Sequence, residues 1–270
     1  MALYATGSTG TIGRHFPRGI IPIKQRLESD LGSFLQLKFE PSDIVIHAGA
    51  RVGPNKVAHS LEDSFQINVA GSRNLALAAL QSNISKFVYI STCHVYKFGK
   101  EFLSENDQIN PINFYAEQKY LGEQEVLKVF QDYPDKVCII RVFSLLGWEM
   151  PHNTLGGAVN RILQGELNFQ TMNGDDIRDF LTPKQVAHAI KAVAENPLAL
   201  GIVNLCSGVG LRVSEAARSL LTRDRRFDVN MLENIKGGVS ESPRIVGNNA
   251  KMKGLAPEVN LEWTFMPHNH

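Results

Sequence analysis

Tyr115 and Lys119 stand four residues apart, the spacing that puts two side chains on one face of a helix. A phenol ionises near pH ~10 and is a poor base at neutrality. An ammonium beside it stabilises the phenolate and lowers that value. A tyrosine so placed can take a proton from a substrate hydroxyl as hydride leaves the same carbon. The spacing alone also occurs on solvated helix faces, so the pair needs support from the rest of the chain. His94 is a second proton-transfer candidate, because an imidazole titrates near neutrality. A histidine that only hydrogen-bonds backbone or substrate is the alternative. Cys93 reads as a small buried residue, since nothing in the sequence around it lowers a thiol's pKa.

A departing hydride needs an acceptor, and the N-terminus offers a place for one. Thr6-Gly7-Ser8-Thr9-Gly10-Thr11-Ile12-Gly13 follows a short apolar strand. One glycine permits a tight turn, one lets a pyrophosphate approach the backbone, and one lets helix and strand pack closely. The N–H groups at the start of the next helix then hold the phosphates. Gly7, Thr9, Gly10, Thr11 and Ile12 are the candidate cofactor contacts. An ordinary glycine turn is the competing reading, weakened by the position directly behind a strand. The acidic residue usual for the ribose hydroxyls is not visible. Lys24 ends the next strand with Arg26 close behind, and cations there favour a 2′-phosphate, hence NADP over NAD. Glu28 and Asp30 argue the other way. Asp30 and Leu31 complete the expected contacts on this side.

Alternating elements must carry these residues. Leu3–Thr6, Ile20–Ile23, Asp43–His47, Phe87–Ser91, Val137–Phe143 and Ile202–Leu205 read as buried strands, being short and rich in apolar or β-branched residues. Ser64–Leu80 and Tyr115–Phe130 have helical apolar spacing. Strands alternating with helices imply a parallel sheet with right-handed crossovers. Only Arg14–Gly19 separate the glycine motif from the second strand, and Pro17 sits among them. Either the first helix is cut to about one turn or that strand lies elsewhere. Lys236-Gly237-Gly238 reads as a turn in a less regular C-terminal region.

The composition sets limits on partners. The chain has 270 residues, 43% hydrophobic and 20% charged, enough for one α/β domain with a smaller lobe. Its net charge is +1, so no long-range field draws it to nucleic acid or a membrane, and an anionic ligand must be held by local groups. Cys93, Cys138 and Cys206 read as reduced thiols of a cytoplasmic protein. No signal peptide and no membrane-length apolar run is expected.

Ser91-Thr92-Cys93-His94-Val95-Tyr96 together with Tyr115-Ala116-Glu117-Gln118-Lys119 resembles the extended short-chain dehydrogenase/reductase family, the group of sugar-nucleotide epimerases, dehydratases and reductases. Further likenesses come in the family's order: His47-Ala48-Gly49-Ala50, Asn68-Val69-Ala70-Gly71-Ser72-Arg73-Asn74-Leu75, Arg178-Asp179-Phe180-Leu181 and Ser242-Pro243-Arg244. The resemblance implies an α/β fold, a Rossmann-type doubly wound parallel sheet with a small C-terminal substrate lobe. The dinucleotide domain would take residues 1–145 and about 177–206, and the lobe 146–176 and 207–270. It implies catalysis by Tyr115, Lys119 and Thr92, with Lys119 also holding the nicotinamide ribose. It adds Ala48, Gly49, Ala50, Asn68, Ser91 and Phe143 to the cofactor contacts, for NADP or NAD. Arg178, Arg244 and Ser144 would face the substrate diphosphate.

Departures from the family pattern narrow the chemistry. Dehydratases of the family carry two carboxylic residues after the threonine, and Cys93-His94 stands there instead, so dehydration is not expected. Fucose synthases of the family place an acid/base cysteine where His94 stands. Ser144 replaces an asparagine and cannot reproduce an amide's paired donor and acceptor. Two readings stay within an enzyme: 4-epimerisation or 4-keto reduction of a nucleotide-sugar, and reduction of a non-sugar carbonyl. A non-catalytic cofactor-binding protein on the same fold is the third. The resemblance also implies a homodimer, made by the helices near Ser64 and Tyr115.

Overall fold

The computed structural model describes every residue except 29, 54–56, 149, 152–153, 165–172, 223, 225–242 and 263–270. The expected turn at Lys236-Gly237-Gly238 lies outside the described residues. The main sheet has six parallel strands: β1 (Leu3–Thr6), β2 (Ile20–Pro22), β3 (Ile44–His47), β4 (Lys86–Thr92), β5 (Val137–Val142) and β8 (Gly201–Leu205). Their order is β2-β1-β3-β4-β5-β8. All residues of β3, β4 and β5 are buried, as a parallel sheet covered on both faces requires. The expected Rossmann-type sheet is present. The strand order reverses between β1 and β3, and in such sheets ligands bind outside the strand ends at that switch point.

Helices cover the two faces. On one side α6 (Pro183–Glu195) and α8 (Ala250–Leu255) lay Val186, Ile190, Val193 and Met252 on Leu3, Ile46, Val88 and Ile140. On the other, α1 (Leu31–Leu35), α3 (Gly71–Gln81) and α4 (Phe114–Val129) bring Phe34, Leu75, Ala79 and Val126 onto Val45, Phe87, Tyr89 and Ile139. Sequence begins these helices legibly. Asn113 caps α4 by accepting the Ala116 N–H at 2.9 Å. Thr182 and Gln185 form a capping box at α6, with Pro183 in its first turn.

Two expectations resolve in the structure. The first helix is cut to a single 3-10 turn, Gly13–His15, and β2 lies where the sequence puts it. The helix expected over Ser64–Leu80 is interrupted. It runs as α2 (Leu61–Phe65), a π turn at Gln66–Ala70 and then α3. The π turn holds Asn68, fully buried, and such turns recur at functional sites.

A smaller sheet stands at the C-terminal ends of the main strands. β7 (Ile177–Leu181) pairs in parallel with β6 (Ser144–Leu145) and β10 (Arg244–Ile245), and antiparallel with β9 (Gly210–Arg212). α5 (Leu155–Leu163) and α7 (Val213–Leu221) pack on it through Val159, Ile162, Ala217 and Leu220 around Phe180. Cys93, Tyr96, Phe143, Cys206 and Ile245 form the apolar seam between this lobe and the main sheet.

Candidate active site

β4 ends in Thr92, whose hydroxyl oxygen accepts the His94 N–H at 3.3 Å and so caps the 3-10 turn Cys93–Val95. The start of α4, with Tyr115 in its first turn, packs against this turn. Tyr115 and Cys93 are close enough for their charges to interact, and Cys93 and His94 both sense Arg178 of β7. The structure thus gathers Thr92, His94, Tyr115 and Arg178 where main sheet and lobe meet. Burial, with Arg178 adding to it, lowers the His94 imidazole to about 4, so this histidine is neutral at pH 7. Burial raises the Cys93 thiol to about 12, which suits the buried role read from the sequence.

Lys119 lies one turn along α4 and is buried, 2% exposed. Its Nζ sits 4.0 Å from the centroid of the Tyr89 ring. Burial lowers its pKa to about 7, against the opposing charge of Glu123. The expected lowering of the Tyr115 pKa by this ammonium is not found. Burial, with Cys93 next, pushes the phenol upward, while the Lys119 charge is turned onto Tyr89.

Beyond Lys119 the same face of α4 continues to Glu123, completely buried and bound to the buried Arg141 of β5 by two hydrogen bonds, 3.0 Å from Nε and 2.6 Å from Nη2. Ser91 donates its hydroxyl to the same carboxylate. The sequence reading missed Glu123 and Arg141. Their signal was present: a charged residue four positions past Lys119, and an arginine inside an apolar strand.

The glycine turn stands on the same C-terminal edge of the sheet as Thr92, two strands away, directly after β1. Gly7 has φ +71°, and a Cβ there would stand 2.7 Å from the Ala48 carbonyl carbon and the Gly49 nitrogen, so the turns after β1 and β3 lie back to back. Thr6 joins them: its hydroxyl accepts the Gly49 N–H at 2.9 Å and contacts His47 Nδ1 at 2.7 Å. His47 Nε2 meets the Ser72 hydroxyl at 2.9 Å, and Ser72 donates to the Asn68 carbonyl at 2.8 Å. Asn68 brackets Arg51, accepting its N–H and donating to its carbonyl, and donates also to Gln118 of α4. A buried chain of hydrogen bonds therefore links the glycine turn to the helix that carries Tyr115. Burial, with Lys119 second, lowers His47 to about 3 and keeps it uncharged.

The residues of this end fit a dinucleotide pyrophosphate. Thr9 and Gly10 are exposed, and a Cβ on Gly10 would meet only the Gly7 oxygen, 3.2 Å away. Among the described residues, the N–H groups of Thr11 and Ile12 have no acceptor within the chain. Beside the turn lies a cleft of about 730 Å³ lined by Leu27, Glu28, Ala50, Arg51, His59 and Ile67. Lys24 is exposed and does not line it, and Arg26 is paired with Glu28 at 2.7 Å. Asp30 caps α1 by accepting the Ser33 N–H at 2.9 Å, and Leu31 begins that helix. Phe143 is buried in the seam with the lobe, away from this cleft's lining.

The lobe's candidate anion holders have partners within the chain. Arg178 donates to Asp176 at 2.7 Å and to its neighbour's carbonyl at 2.9 Å, and is 7% exposed. Arg244 donates to the Glu101 carbonyl at 3.0 Å and lies 5.7 Å from the Phe102 ring centroid. Ser144 is half-buried in β6. Asp179 accepts from Ser207 N–H and hydroxyl, Gly208 N–H and Gly247 N–H, at 2.6–3.2 Å, and so ties the loops after β8 and β10 to β7.

With this geometry in view, likeness to known proteins is informative. The sequence model of the NAD dependent epimerase/dehydratase family matches residues 28–206. The chain is 27% identical over 252 residues to a UDP-glucose 4-epimerase of Rhizobium leguminosarum bv. trifolii, covering 83% of this chain and 75% of that protein. It is 24% identical over 240 residues to the human dTDP-D-glucose 4,6-dehydratase, covering 85% and 68%. Among solved structures it superimposes on RMD from Pseudomonas aeruginosa, complexed with NADPH, with a TM-score of 0.79 at 24% identity over 97% of this chain and 94% of that one. That last likeness concerns the fold.

Proposed function

The chain belongs to the NAD dependent epimerase/dehydratase family, and we propose that it is an NAD(P)-dependent enzyme of a nucleotide-activated sugar, carrying out 4-epimerisation or 4-keto reduction. The observation that supports this reading is the meeting of Thr92, His94 and Tyr115 at the junction of sheet and lobe, joined through a buried hydrogen-bond chain to a turn that fits a pyrophosphate. Relatives named as a UDP-glucose epimerase and a dTDP-glucose dehydratase support the nucleotide-sugar class.

In this reading the nicotinamide, when bound, accepts or returns a hydride at the sugar carbon. Tyr115 takes the proton from the hydroxyl on that carbon, or returns it. The Thr92 hydroxyl hydrogen-bonds the same oxygen and fixes its direction. Lys119 supplies positive charge near the phenolate as it forms. His94, uncharged at neutral pH, accepts or donates a hydrogen bond next to the reacting carbon. Cys93-His94 in place of two acids leaves no carboxyl pair for water elimination. Gly7, Thr9, Gly10, Thr11 and Ile12 would hold the pyrophosphate, and Glu28 the adenosine ribose. A carboxylate in that cleft, with Lys24 outside it, supports NAD over NADP.

A second substrate class has its own observation. Arg178 and Arg244 are engaged by Asp176 and by the Glu101 carbonyl, and Ser144 stands for an amide. This favours a small carbonyl compound without a diphosphate. Exposed apolar side chains support a homodimer reading: Leu61 and Phe65 of α2 with Phe114 and Leu121 of α4 are exposed, from 39% to 51%, and would form its face. Among the described residues no helix is long and apolar enough to cross a membrane, and the buried free thiols fit a cytoplasmic setting.

The test is calorimetric titration with NAD and NADP in both redox states, then with UDP-, GDP- and dTDP-sugars. Binding of a cofactor and of one nucleotide family is expected. Cofactor binding without any nucleotide-sugar response would transfer the case to the small carbonyl substrate, and no cofactor binding would refute the reading.

A further inference from the structure

Glu123 and Arg141 form an ion pair that stability does not explain. Both are buried, at 0% and 2% side-chain exposure, with 2.6 Å between Nη2 and the carboxylate. Nη1 of Arg141 has no acceptor among the described residues, and the guanidinium carbon stands 4.6 Å from the Tyr96 ring centroid. A pair of apolar residues in such a place is usually as stable or more so, because removing two charges from water costs as much as their attraction returns. The pair therefore needs another use, and its position supplies one.

Tyr115, Lys119 and Glu123 fall on one stripe of α4, each four residues after the last. Glu123 is held from three directions: Arg141 of β5 grips both carboxylate oxygens, Ser91 of β4 donates to one of them, and α4 itself fixes the backbone. The acidic end of the pair is the end on the lysine's own helix. We propose that Glu123 is a positioning residue, fixed by Arg141 and Ser91 so that its carboxylate is the countercharge that keeps the Lys119 side chain in its buried slot, one turn from Tyr115.

The groups facing that slot are few. His47 of β3 reaches Lys119 electrostatically but is itself uncharged. Tyr89 of β4 presents its ring face to Nζ, and its hydroxyl meets the Lys119 carbonyl at 3.3 Å. Tyr115 lies on the same helix. Among the described residues Glu123, one turn further along the same buried stripe of α4, is the anionic group placed to oppose the desolvation that drives the lysine towards neutrality. Without it Lys119 gives up its proton at lower pH and loses its reason to stay inside.

The inference rests on the reading of Lys119 given above, but its measurement needs no substrate. The full-length protein is labelled with ε-13C lysine and titrated by NMR, with Lys119 assigned from Lys119→Arg. In the double variant Glu123→Gln, Arg141→Met, which removes both charges together, the Lys119 midpoint should fall, equivalent to roughly tenfold weaker proton binding. Glu125→Gln, on an outer face of the same helix, should leave the midpoint in place. Should the double variant not fold, Glu123→Asp retains the ion pair but withdraws the carboxylate, and its Lys119 midpoint should also fall. An unchanged midpoint in either folded variant overturns the proposal. A falling midpoint in a protein inert towards every nucleotide-sugar would keep this inference and defeat the proposed reaction. An active enzyme whose Lys119 ignores Glu123 would do the reverse.

Discussion

Gly122 and Tyr89 meet so closely that a Cβ at position 122 would stand 2.2 Å from the Tyr89 hydroxyl oxygen and 2.8 Å from the Asn68 carbonyl oxygen. α4 is thereby drawn against both β4 and the π turn. Gly122→Ala should therefore destabilise the fold by about 1–3 kcal/mol through overpacking. Urea unfolding should show an earlier midpoint with an unchanged slope. A wild-type midpoint would mean that α4 can retreat without cost.

Tyr115→Phe removes one oxygen from the half-buried site. Turnover should drop by about two to four orders of magnitude, while the affinity for NAD stays within about twofold. Steady-state rates and calorimetry on the same preparation check both. Near-normal turnover would remove Tyr115 from the chemistry.

His47 makes stability depend on acid. Burial holds its folded pKa at about 3, below the ordinary 6.5. Between those values the unfolded chain binds a proton that the folded chain refuses, so stability is full above pH 6.5 and declines as pH falls towards 3. His94, lowered to about 4, acts in the same direction. Urea unfolding at pH 7.5 and pH 5 should show lower stability at the acid value, and His47→Gln should narrow the gap. An equal gap in wild type and variant would assign the acid sensitivity elsewhere.

Glu28→Arg should reverse cofactor choice. The variant exchanges a carboxylate in the cleft for a guanidinium able to pair with a 2′-phosphate. A shift of at least about tenfold in the NAD-to-NADP affinity ratio is expected, read from paired titrations. A ratio that does not move would take Glu28 out of the ribose site.

Leu121→Glu puts a charge on an apolar helix face that is 39% exposed in the single chain. If α2 and α4 form a dimer face, sedimentation should show the wild type as a dimer and the variant as a monomer. A monomeric wild type would end that reading.

Much of this was legible in the sequence because the controlling forces are local. Strands such as Leu3–Thr6 and Ile44–His47 announce themselves by short apolar runs, and α4 by its Asn113 cap and apolar period. Pro17 and the few residues after Gly13 left either a truncated first helix or a strand lying elsewhere, and the fold has the single turn with the strand in place. The π turn at Gln66–Ala70 was not legible in the apolar spacing; at its end Gly71 stands where a Cβ would lie 2.3 Å from the Leu27 carbonyl oxygen, an approach between residues far apart in sequence. The charge states were also hidden. Sequence places Lys119 one turn from Tyr115, but only the fold shows that its ammonium lies on Tyr89 and that burial, not charge, governs the phenol. On paper Lys24, at the end of the second strand, argued for NADP and Glu28 against it; in the fold Glu28 lines the cleft and Lys24 does not.

The single-turn link between β1 and β2 bears on the cost of closing the sheet as well as on its layout. Leu3 pairs with Ile20 across Gly7–Gly19, whereas Leu3 with Ile44, Phe87 with Val137 and Cys138 with Gly201 span progressively longer stretches of chain. Closing a loop costs about 0.6 kcal/mol more for each doubling of its length. The β1–β2 pair therefore has the lowest loop-closure cost of the strand pairs in this sheet, and its residues precede α4 in the chain. The end that carries the glycine turn is the part of the main sheet with the lowest loop-closure cost. The strand pairs on either side of the helix bearing Tyr115 close longer spans, and the lobe, whose β7–β10 pair joins Ile177 to Arg244, closes the longest of the strand pairs.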